Sequence, residues 1–356
     1  MKPPHAPTGR GARSQPVARY LHDVREDFDD GWPADLEPPP AFATTLTWEQ
    51  AKSLINVNQS PDIPFEQSIN PYRGCEHGCI YCYARPAHAF VDLSPGLDFE
   101  SKLFAKANAA ALLRRELAAP GYRCRSIALG ANTDAYQPVE RELRVTRDIL
   151  AVLAETSHPL TIVTKSALVE RDLDLLAPMA AKGLVQVFLS VTTLDSTLAR
   201  RLEPRAAAPA RRLRAISALV AAGVPCGVMF APVIPALNEH EMEAVLSAAA
   251  AAGARYAGYV LLRLPREVSP LFREWLAANY PLKAARVMAR VNDLRGGRDN
   301  DSQFGSRLTG TGVFADLIKS RFGKACRQHQ LQRSDHHLNT SHFRPPRDAA
   351  QGDLFD

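Results

Sequence analysis

The stretch NPYRGCEHGCIYCYARP, residues 70–86, contains three closely spaced cysteines, Cys75, Cys79 and Cys82, with no fourth cysteine near them. It directly follows a short run, residues 65–70, that is typical of a first strand. A structural zinc site is closed by four protein ligands, whereas a metal centre that performs chemistry keeps one coordination position free. Three thiolates on one short loop therefore predict a reactive metal site.

The spacing CxxxCxxC admits two metals. In one interpretation His77 joins the cysteines to form a zinc site with three cysteines and one histidine. In the other, the thiolates hold three irons of a 4Fe–4S cluster, and the fourth iron stays open for a small molecule. Soft thiolate ligands suit both metals, so ligand chemistry alone leaves both interpretations open.

Length and composition fit a globular enzyme. The 356 residues, 46% hydrophobic and 23% charged, are enough for one α/β barrel of roughly 250 residues with extensions. The other three cysteines, Cys124, Cys226 and Cys326, are scattered and form no disulfide framework, so a reducing compartment is expected. The chain shows neither a signal peptide nor a run of about 18 apolar residues, which predicts a cytoplasmic protein without membrane insertion.

Composition also divides the chain. Residues 1–45 are rich in proline, glycine and arginine and then in acids, which predicts a mostly disordered N-terminal arm. The last residues, 330–356, have a similar composition and predict a disordered tail. Between them we expect a barrel domain over 46–265 and a helical extension over 266–329.

The barrel region alternates β-branched runs with alanine-rich stretches, the pattern of repeated βα units and a parallel sheet. Strands are predicted at 65–70, 126–131, 160–165, 185–191, 226–231 and 256–262. Helices are predicted at 139–155, 170–181, 209–222 and 239–252. Six such strands indicate an α/β protein with a partial (β/α)6 TIM-type barrel.

Polar residues stand where these strands end, and active sites of such barrels form at the carboxyl ends of the strands. The second strand is followed by GANTDAYQPVE, in which Thr133 and Asp134 are candidates to bind a ligand or to cap the next helix. Lys165 ends the third strand, and a buried ammonium needs an anion. That anion is Asp134, Glu203 or the carboxylate of a ligand. Ser190 ends the fourth strand.

These features together resemble the radical S-adenosylmethionine (SAM) superfamily, whose hallmark is CxxxCxxC followed by an aromatic residue. Residues 65–265 look like the branch that contains spore photoproduct lyase, a DNA repair enzyme with a partial (β/α)6 barrel. Tyr83, Lys165 and Ser190 match residues that contact the carboxylate or amine of SAM in that branch. The segments LEPR (202–205) and GVMFAPVIP (227–235) resemble later parts of the same family in the same order.

The resemblance implies a radical SAM enzyme. It implies a 4Fe–4S cluster on the three cysteines and SAM held by Tyr83, Lys165 and Ser190. Thr133 and Asp134 join the candidate SAM-binding residues because of their place after the second strand. The resemblance also implies reductive cleavage of SAM, hydrogen abstraction from an unidentified substrate, and a one-electron reductant such as flavodoxin or ferredoxin as a partner. The net charge of +5 and the arginines near both ends add nucleic acid as a candidate partner.

One departure argues against photoproduct lyase activity. The lyase has a cysteine just ahead of its TSD-like turn that returns a hydrogen atom to the product, and here Ala131 takes that place. The chain is more similar to uncharacterised relatives whose motif reads TDxYQPxE. No catalytic residue beyond the cofactor site follows from the sequence. The alternatives are a zinc-stabilised nucleic-acid-binding protein without SAM chemistry and a cluster protein that uses SAM for methyl transfer.

Overall fold

A computed structural model of the chain describes residues 9–20, 43–333 and 338–346. The strands of this part are β1 (Thr45–Glu49), β2 (Ile55–Val57), β3 (Gln67–Ile69), β4 (Tyr72–Arg73), β5 (Lys102–Lys106), β6 (Ile127–Leu129), β7 (Leu160–Thr164), β8 (Val185–Ser190), β9 (Cys226–Val233) and β10 (Tyr256–Leu261). The helices are α1 (Leu97–Ser101), α2 (Ala109–Leu117), α3 (Glu140–Leu143), α4 (Val145–Glu155), α5 (Leu173–Ala181), α6 (Ser196–Leu202), α7 (Pro209–Ala221), α8 (Met242–Ala251), α9 (Val268–Asn279), α10 (Pro281–Leu294) and α11 (Val313–Gln328).

The main sheet confirms the predicted partial barrel. Its strand order is β10-β9-β8-β7-β6-β3-β2, and all neighbours from β3 to β10 are parallel, while β2 pairs antiparallel with β3. The six parallel strands lie at the six predicted positions. All residues of β8 are buried, as expected for a parallel strand covered on both faces. The sheet does not close, because β2 and β10 form no ladder with each other.

A second, smaller sheet carries the loop with the three cysteines. It has the order β1-β5-β4, with β1 parallel and β4 antiparallel to β5. The sequence patterns did not predict this sheet, because β4 has only two residues and β1 alternates without a strongly apolar face. Its position matters for function, since the cysteines follow directly after β4.

The predicted helix 139–155 is interrupted. Arg144 adopts a left-handed conformation with φ 57°, which ends α3 and starts α4. The Glu140 carboxylate accepts a hydrogen bond from the backbone N–H of Thr146 at 2.9 Å and caps the second helix. The apolar periodicity continues through both helices, which is why the break does not register in the pattern.

Parts of the two ends are packed, contrary to what their composition predicts. Residues 9–20, hereafter the N-terminal segment, lie against the cysteine-containing loop. Near the other end, the Arg344 N–H donates to the Thr156 carbonyl at 2.9 Å, and the Phe343 ring packs against Tyr122. Residues 43–45 and 330–333 are described as well: Thr45 begins β1, and the Gln332 N–H donates to the Arg255 carbonyl at 2.8 Å. The other residues predicted to be disordered, 1–8, 21–42, 334–337 and 347–356, lie outside the described ranges.

Three helices, α9, α10 and α11, follow the last strand, and α11 packs on α8 against the outside of the barrel. Among the helices in the described ranges, none has the length and apolar character that a membrane crossing requires.

Candidate metal and cofactor site

The cysteine loop, residues 74–82, has a backbone path that needs glycine at two places. Gly74 and Gly78 have φ values of +74° and +66°. A Cβ atom at Gly74 would lie 2.9 Å from the Phe99 carbonyl oxygen, and one at Gly78 would lie 2.8 Å from Oε2 of Glu100. The glycines of GCEHGC therefore allow the loop to turn tightly against α1.

The three thiols lie in a buried environment. Cys75 is 7% and Cys79 8% exposed, and Cys82 is half-buried. Burial raises the pKa of Cys79 to about 12. Burial, with added contributions from Asp134 and the other two thiols, also raises the pKa of Cys75 well above its usual value. Thiolates in this position need a positive centre among them. The irons of a 4Fe–4S cluster provide it, so the donor set fits a cluster with three protein ligands.

The zinc alternative gains no support. Within the described ranges, no three His, Cys, Asp or Glu side chains are grouped closely enough to hold one metal ion. The side chain of His77, the proposed fourth ligand, is buried with its Nδ1 3.2 Å from Oδ2 of Asp134. The distances between these side chains therefore argue against a site for a single zinc ion. They do not argue against a 4Fe–4S cluster, which is wider than one ion and holds its thiolates farther apart.

Arg85 holds the loop from one side. Its Nε and Nη2 donate to the Cys79 carbonyl at 3.0 and 2.9 Å, and its Nη1 donates to the Gly96 carbonyl at 2.9 Å. The same guanidinium forms an ion pair with Glu100, and both side chains are fully buried. Arg85 stands in the CYARP end of the opening motif, and the sequence interpretation gave it no role.

Gln137 holds the loop from the other side. Its Oε1 accepts a hydrogen bond from the Glu76 N–H at 2.8 Å, and its Nε2 donates to the Gly74 carbonyl at 3.1 Å. Three residues later, the buried Glu140 accepts a hydrogen bond from the hydroxyl of Tyr72, directly before the loop. The motif TDAYQPVE therefore anchors the cysteine loop through two of its side chains.

The N-terminal segment covers the loop. The N–H groups of Gly11 and Ala12 each donate to the Glu100 carboxylate at 2.8 Å. A Cβ atom at Gly11 would lie only 1.8 Å from the Gly78 carbonyl oxygen, so the two backbones touch. Farther along, Arg19 forms an ion pair with Glu267. This contact surface is the largest feature of the site that the sequence did not predict.

Lys165 follows β7 and has no carboxylate partner among the described residues. Its Nζ lies 5.8 Å from the centre of the Tyr81 ring. Burial lowers the pKa of Lys165, but Cys79 and Glu203 raise it by more, so the pKa lies above its usual value and the ammonium stays charged. The ammonium of Lys165 therefore faces the cysteine loop, and its N–H groups donate no hydrogen bond to any described residue.

Glu203, one of the candidate partners of Lys165, is engaged elsewhere. Its carboxylate pairs with the buried guanidinium of Arg212 and accepts hydrogen bonds from the hydroxyls of Thr192, at 2.5 Å, and Tyr81. Burial alone would raise the pKa of Glu203, but Arg212 and Lys165 outweigh it and hold the pKa at about 2. Glu203 therefore forms no ion pair with Lys165, although its charge is close enough to raise the pKa of the lysine.

Thr133 and Asp134 use their polar groups within the protein. The Thr133 hydroxyl donates to the Tyr72 carbonyl at 2.9 Å. Asp134 accepts a hydrogen bond from the Lys165 N–H at 2.8 Å and contacts His77. Burial raises the pKa of Asp134, yet the charge and hydrogen bond of His77 dominate and hold it well below the usual range. Both residues connect strand ends to the cysteine loop.

Tyr83 and Ser190 lie at two other strand ends. Tyr83 is half-exposed, its hydroxyl donates to the Ala131 carbonyl just after β6, and the guanidinium of Arg263 lies 5.6 Å from its ring centre. Ser190 is buried at the end of β8, and its carbonyl accepts a hydrogen bond from Arg212 at 2.8 Å. The Ser190 hydroxyl forms no hydrogen bond with any described residue, so it can serve a ligand.

An open cleft of about 890 Å³ flanks the outer side of the cysteine loop at Glu76 and His77. Three of its arginines are paired with carboxylates: Arg171 with Glu140, Arg205 with Glu76, and Arg211 with Glu170. The cleft does not include Tyr83, Lys165 or Ser190. It is therefore distinct from the barrel mouth where the predicted SAM contacts lie.

Known proteins with similar sequences share this chain's central part. A family model described as the Radical SAM superfamily matches residues 69–249. An uncharacterised protein of Mycobacterium tuberculosis is 40% identical over 238 residues, which cover 66% of this chain and 70% of the relative. An uncharacterised protein of Methanocaldococcus jannaschii is 28% identical over 232 residues, or 65% of this chain and 82% of the relative.

Solved structures agree on the fold. A spore photoproduct lyase variant with bound AdoMet and dinucleoside spore photoproduct superposes with a TM-score of 0.59 at 15% identity, covering 89% of this chain and 88% of that one. A spore photoproduct lyase complexed with dinucleoside spore photoproduct gives a TM-score of 0.58 at 14% identity, covering 83% and 82%. The family match decides the assignment: the chain belongs to the radical SAM superfamily and is an enzyme whose cofactors are a 4Fe–4S cluster and SAM.

Proposed function

We propose that the three cysteines of the loop bind the 4Fe–4S cluster and that Lys165, Ser190 and Tyr83 bind the amino-acid part of SAM next to it. When bound, the cluster and SAM supply a radical that abstracts hydrogen from a substrate, and the protein supplies binding and exclusion of water. The substrate is held over the carboxyl ends of the barrel strands.

The position of Lys165 carries this proposal. Its ammonium is charged and held beside Tyr81 without an ion pair to any described residue. Both candidate protein partners are occupied, Glu203 by Arg212 and Asp134 by His77. Lys165 is half-buried, and an ammonium that is partly removed from water without an anion is costly. A carboxylate of a ligand removes that cost. SAM carries such a carboxylate.

Thr133 and Asp134 enter the proposal as positioning residues. The Asp134 carboxylate accepts a hydrogen bond from the backbone N–H of Lys165, and the Thr133 hydroxyl donates one to the Tyr72 carbonyl. Since their polar atoms are already engaged, we propose that they fix the lysine and the cysteine loop relative to each other. Direct contact of their side chains with SAM would require these hydrogen bonds to be shared.

The proposed reaction differs from that of spore photoproduct lyase in how a hydrogen atom returns to the product. The carbonyl of Ala131 lies beside the Tyr83 hydroxyl at the mouth, and the methyl side chain of Ala131 has no hydrogen that it can easily donate.

The partners we propose are a flavodoxin or ferredoxin as electron donor and, as a candidate only, nucleic acid. Two arginines of the N-terminal segment do not support the latter, because Arg10 donates to the Glu100 carbonyl at 2.6 Å and Arg19 is paired with Glu267.

Lys165→Ala tests the proposal directly. The full-length protein would be reconstituted anaerobically with iron and sulfide, and iron content, SAM affinity and dithionite-driven 5′-deoxyadenosine formation would be measured. We expect near four irons per chain in the wild type and in the variant, with SAM affinity reduced at least about tenfold, because a charge-assisted contact contributes about 1.5–3 kcal/mol.

Lys182→Ala provides the matched control, because Lys182 is an exposed lysine just after α5. It should change neither iron content nor SAM affinity. If Lys165→Ala bound SAM as tightly as the wild type, the assignment would be wrong. If it failed to fold, the lysine would have a structural role instead. A colourless wild-type protein that holds zinc after reconstitution would refute the whole proposal.

A further inference from the structure

The open edge of the barrel is bridged by a segment from the C-terminal part of the chain. The Leu261 N–H at the end of β10 donates to the Leu308 carbonyl at 2.9 Å. Next to it, Arg307 binds both carboxylate oxygens of Asp62 at 2.7 and 2.6 Å, and Asp62 lies in the loop between β2 and β3. One edge of the barrel mouth is therefore built from β10, residues 305–310 and this loop.

Arg263 lies at this edge with its guanidinium unused. It follows β10 by two residues and is half-buried. Its Nε is completely buried and has no hydrogen-bond partner, and its guanidinium forms no hydrogen bond or ion pair with any described residue. The Tyr83 ring lies under it at 5.6 Å. Because Tyr83 also bonds Ala131 after β6, Arg263 and Tyr83 face the inside of the mouth.

The surroundings of Arg263 are positively charged. Arg295 is buried, and it donates to the carbonyls of Leu261 and Leu262 at 3.2 and 2.8 Å without an ion pair to any described carboxylate. Burial, followed by the charge of Arg263, lowers the pKa of Arg295 to about 10. Burial is also the main cause that lowers the pKa of Arg263, and Arg307 adds to it. The carboxylates of Asp62 and Asp301 partly offset these charges, but Asp62 is paired with Arg307 and Asp301 accepts a hydrogen bond from Ser306. Neither forms an ion pair with Arg263 or Arg295.

We propose that Arg263 binds an oxyanion of the substrate, a phosphate or a carboxylate, at the open edge of the barrel. A guanidinium with free N–H groups binds such groups through two parallel hydrogen bonds, which form a fork. The aromatic ring beneath the guanidinium fixes the plane of this fork. An oxyanion here also gives the buried Nε a hydrogen-bond partner, at an edge where neither Arg263 nor Arg295 forms an ion pair with a described carboxylate. The inference rests on the proposed function, because it concerns the substrate held over the same mouth.

The test uses bare oxyanions as probes. Reconstituted full-length protein saturated with SAM would be followed by thermal unfolding in inorganic phosphate, in succinate and in potassium chloride of equal ionic strength. Saturation with SAM fills the Lys165 site first, so a remaining anion effect reports on another cation. We expect phosphate or succinate to raise the melting temperature beyond chloride, as any ligand of the folded state does. Phosphate alone would identify a phosphate-bearing substrate class and succinate alone a carboxylate.

Arg263→Gln should abolish the oxyanion-specific rise, with a dissociation constant at least about tenfold higher by calorimetry. Arg263→Lys keeps the charge but not the fork, so it should restore only part of the rise. Arg286→Gln, at an exposed position of α10, is the control and should behave as the wild type. Iron content and SAM cleavage of the wild type report separately on the proposed function.

Three outcomes would overturn the inference. One is a wild-type protein that no oxyanion stabilises more than chloride does. Another is an equal oxyanion effect in the wild type and in Arg263→Gln. The third is a variant that loses affinity for SAM while keeping the oxyanion effect, since Arg263 would then serve the cofactor.

Discussion

Replacing Gln137 by alanine should release the cysteine loop while leaving the barrel folded. Gln137 is fully buried and makes two hydrogen bonds to the backbone of the loop, to the Glu76 N–H and the Gly74 carbonyl. Alanine can make neither bond. The N–H and the carbonyl would remain in a buried environment, because the loop is covered by α1 and by the N-terminal segment.

The magnitude follows from what is left unpaired. A buried polar group without its partner costs about 1–3 kcal/mol, so two of them cost about 2–6 kcal/mol together. Because 1.4 kcal/mol corresponds to a factor of ten, even the lower value raises the population of an open loop about 30-fold. This energy acts where the three thiolates meet, so we expect it to appear as metal loss before it appears as global unfolding.

The assay compares iron retention with global stability. Wild type and Gln137→Ala would be reconstituted anaerobically, and iron per chain and the rate of iron loss to a chelator would be followed, with urea unfolding measured in parallel. We expect the variant to lose iron at least about tenfold faster. Gln328→Ala, at an exposed position near the end of α11, is the control and should change the free energy of unfolding by less than about 0.5 kcal/mol. Wild-type iron retention in Gln137→Ala would refute the reasoning.

Two further substitutions test other parts of the site. Cys79→Ala should abolish both the cluster and reductive SAM cleavage; 5′-deoxyadenosine formation by this variant would contradict the ligand assignment. Asp62→Asn should lower the free energy of unfolding at pH 7 by at most about 1 kcal/mol. Hydrogen bonds from Arg307 lower the pKa of Asp62, so its contribution is present above the usual carboxyl pKa and is lost as the pH falls below it. The difference between the two proteins in urea unfolding should therefore shrink as the pH falls below the usual carboxyl pKa and vanish below the lowered pKa of Asp62. A constant difference would rule out the ion pair as its source.

The barrel was predictable because its signals are local. Each parallel strand is a short β-branched run between alanine-rich helices, and β7, β8 and β10 lie within a residue or so of their predicted ends. The break at Arg144 was not predictable in this way. It depends on the side chain of Glu140 reaching the N–H of Thr146, and such a contact leaves no mark in the apolar periodicity.

The residues of the site also fall into those with a local signal in the sequence and those whose role depends on contacts with distant residues. The cysteines could be found from spacing, and Lys165 from the cost of burying a charge at a strand end. The role of Gln137 was not predictable from the sequence, because the Gly74 and Glu76 backbone that it holds lies more than sixty positions earlier in the chain. Arg85 had one local signal, its place three residues after the third cysteine, but its bonds to Cys79 and Glu100 depend on the folded loop.

The N-terminal segment shows where composition misleads. Its glycine, proline and arginine content is typical of disordered arms, yet Gly11 is needed because any side chain would collide with the Gly78 carbonyl. The ordering comes from Glu100, whose carboxylate receives the N–H groups of Gly11 and Ala12 while pairing with Arg85. A contact of this kind joins residues some ninety positions apart and can be recognised only in the fold.

One short motif connects Lys165 with the cysteine loop. Within TDAYQPVE, Asp134 holds the backbone of Lys165 and contacts His77 of the cysteine loop, while Gln137 holds the same loop at Gly74. Changing the backbone contacts of the motif should therefore disturb iron retention and SAM binding together. Changing only the side chain of Lys165 should separate them, because that ammonium touches no loop atom through a hydrogen bond. The two classes of variant would distinguish the residues proposed to position the cofactors from the lysine proposed to bind SAM.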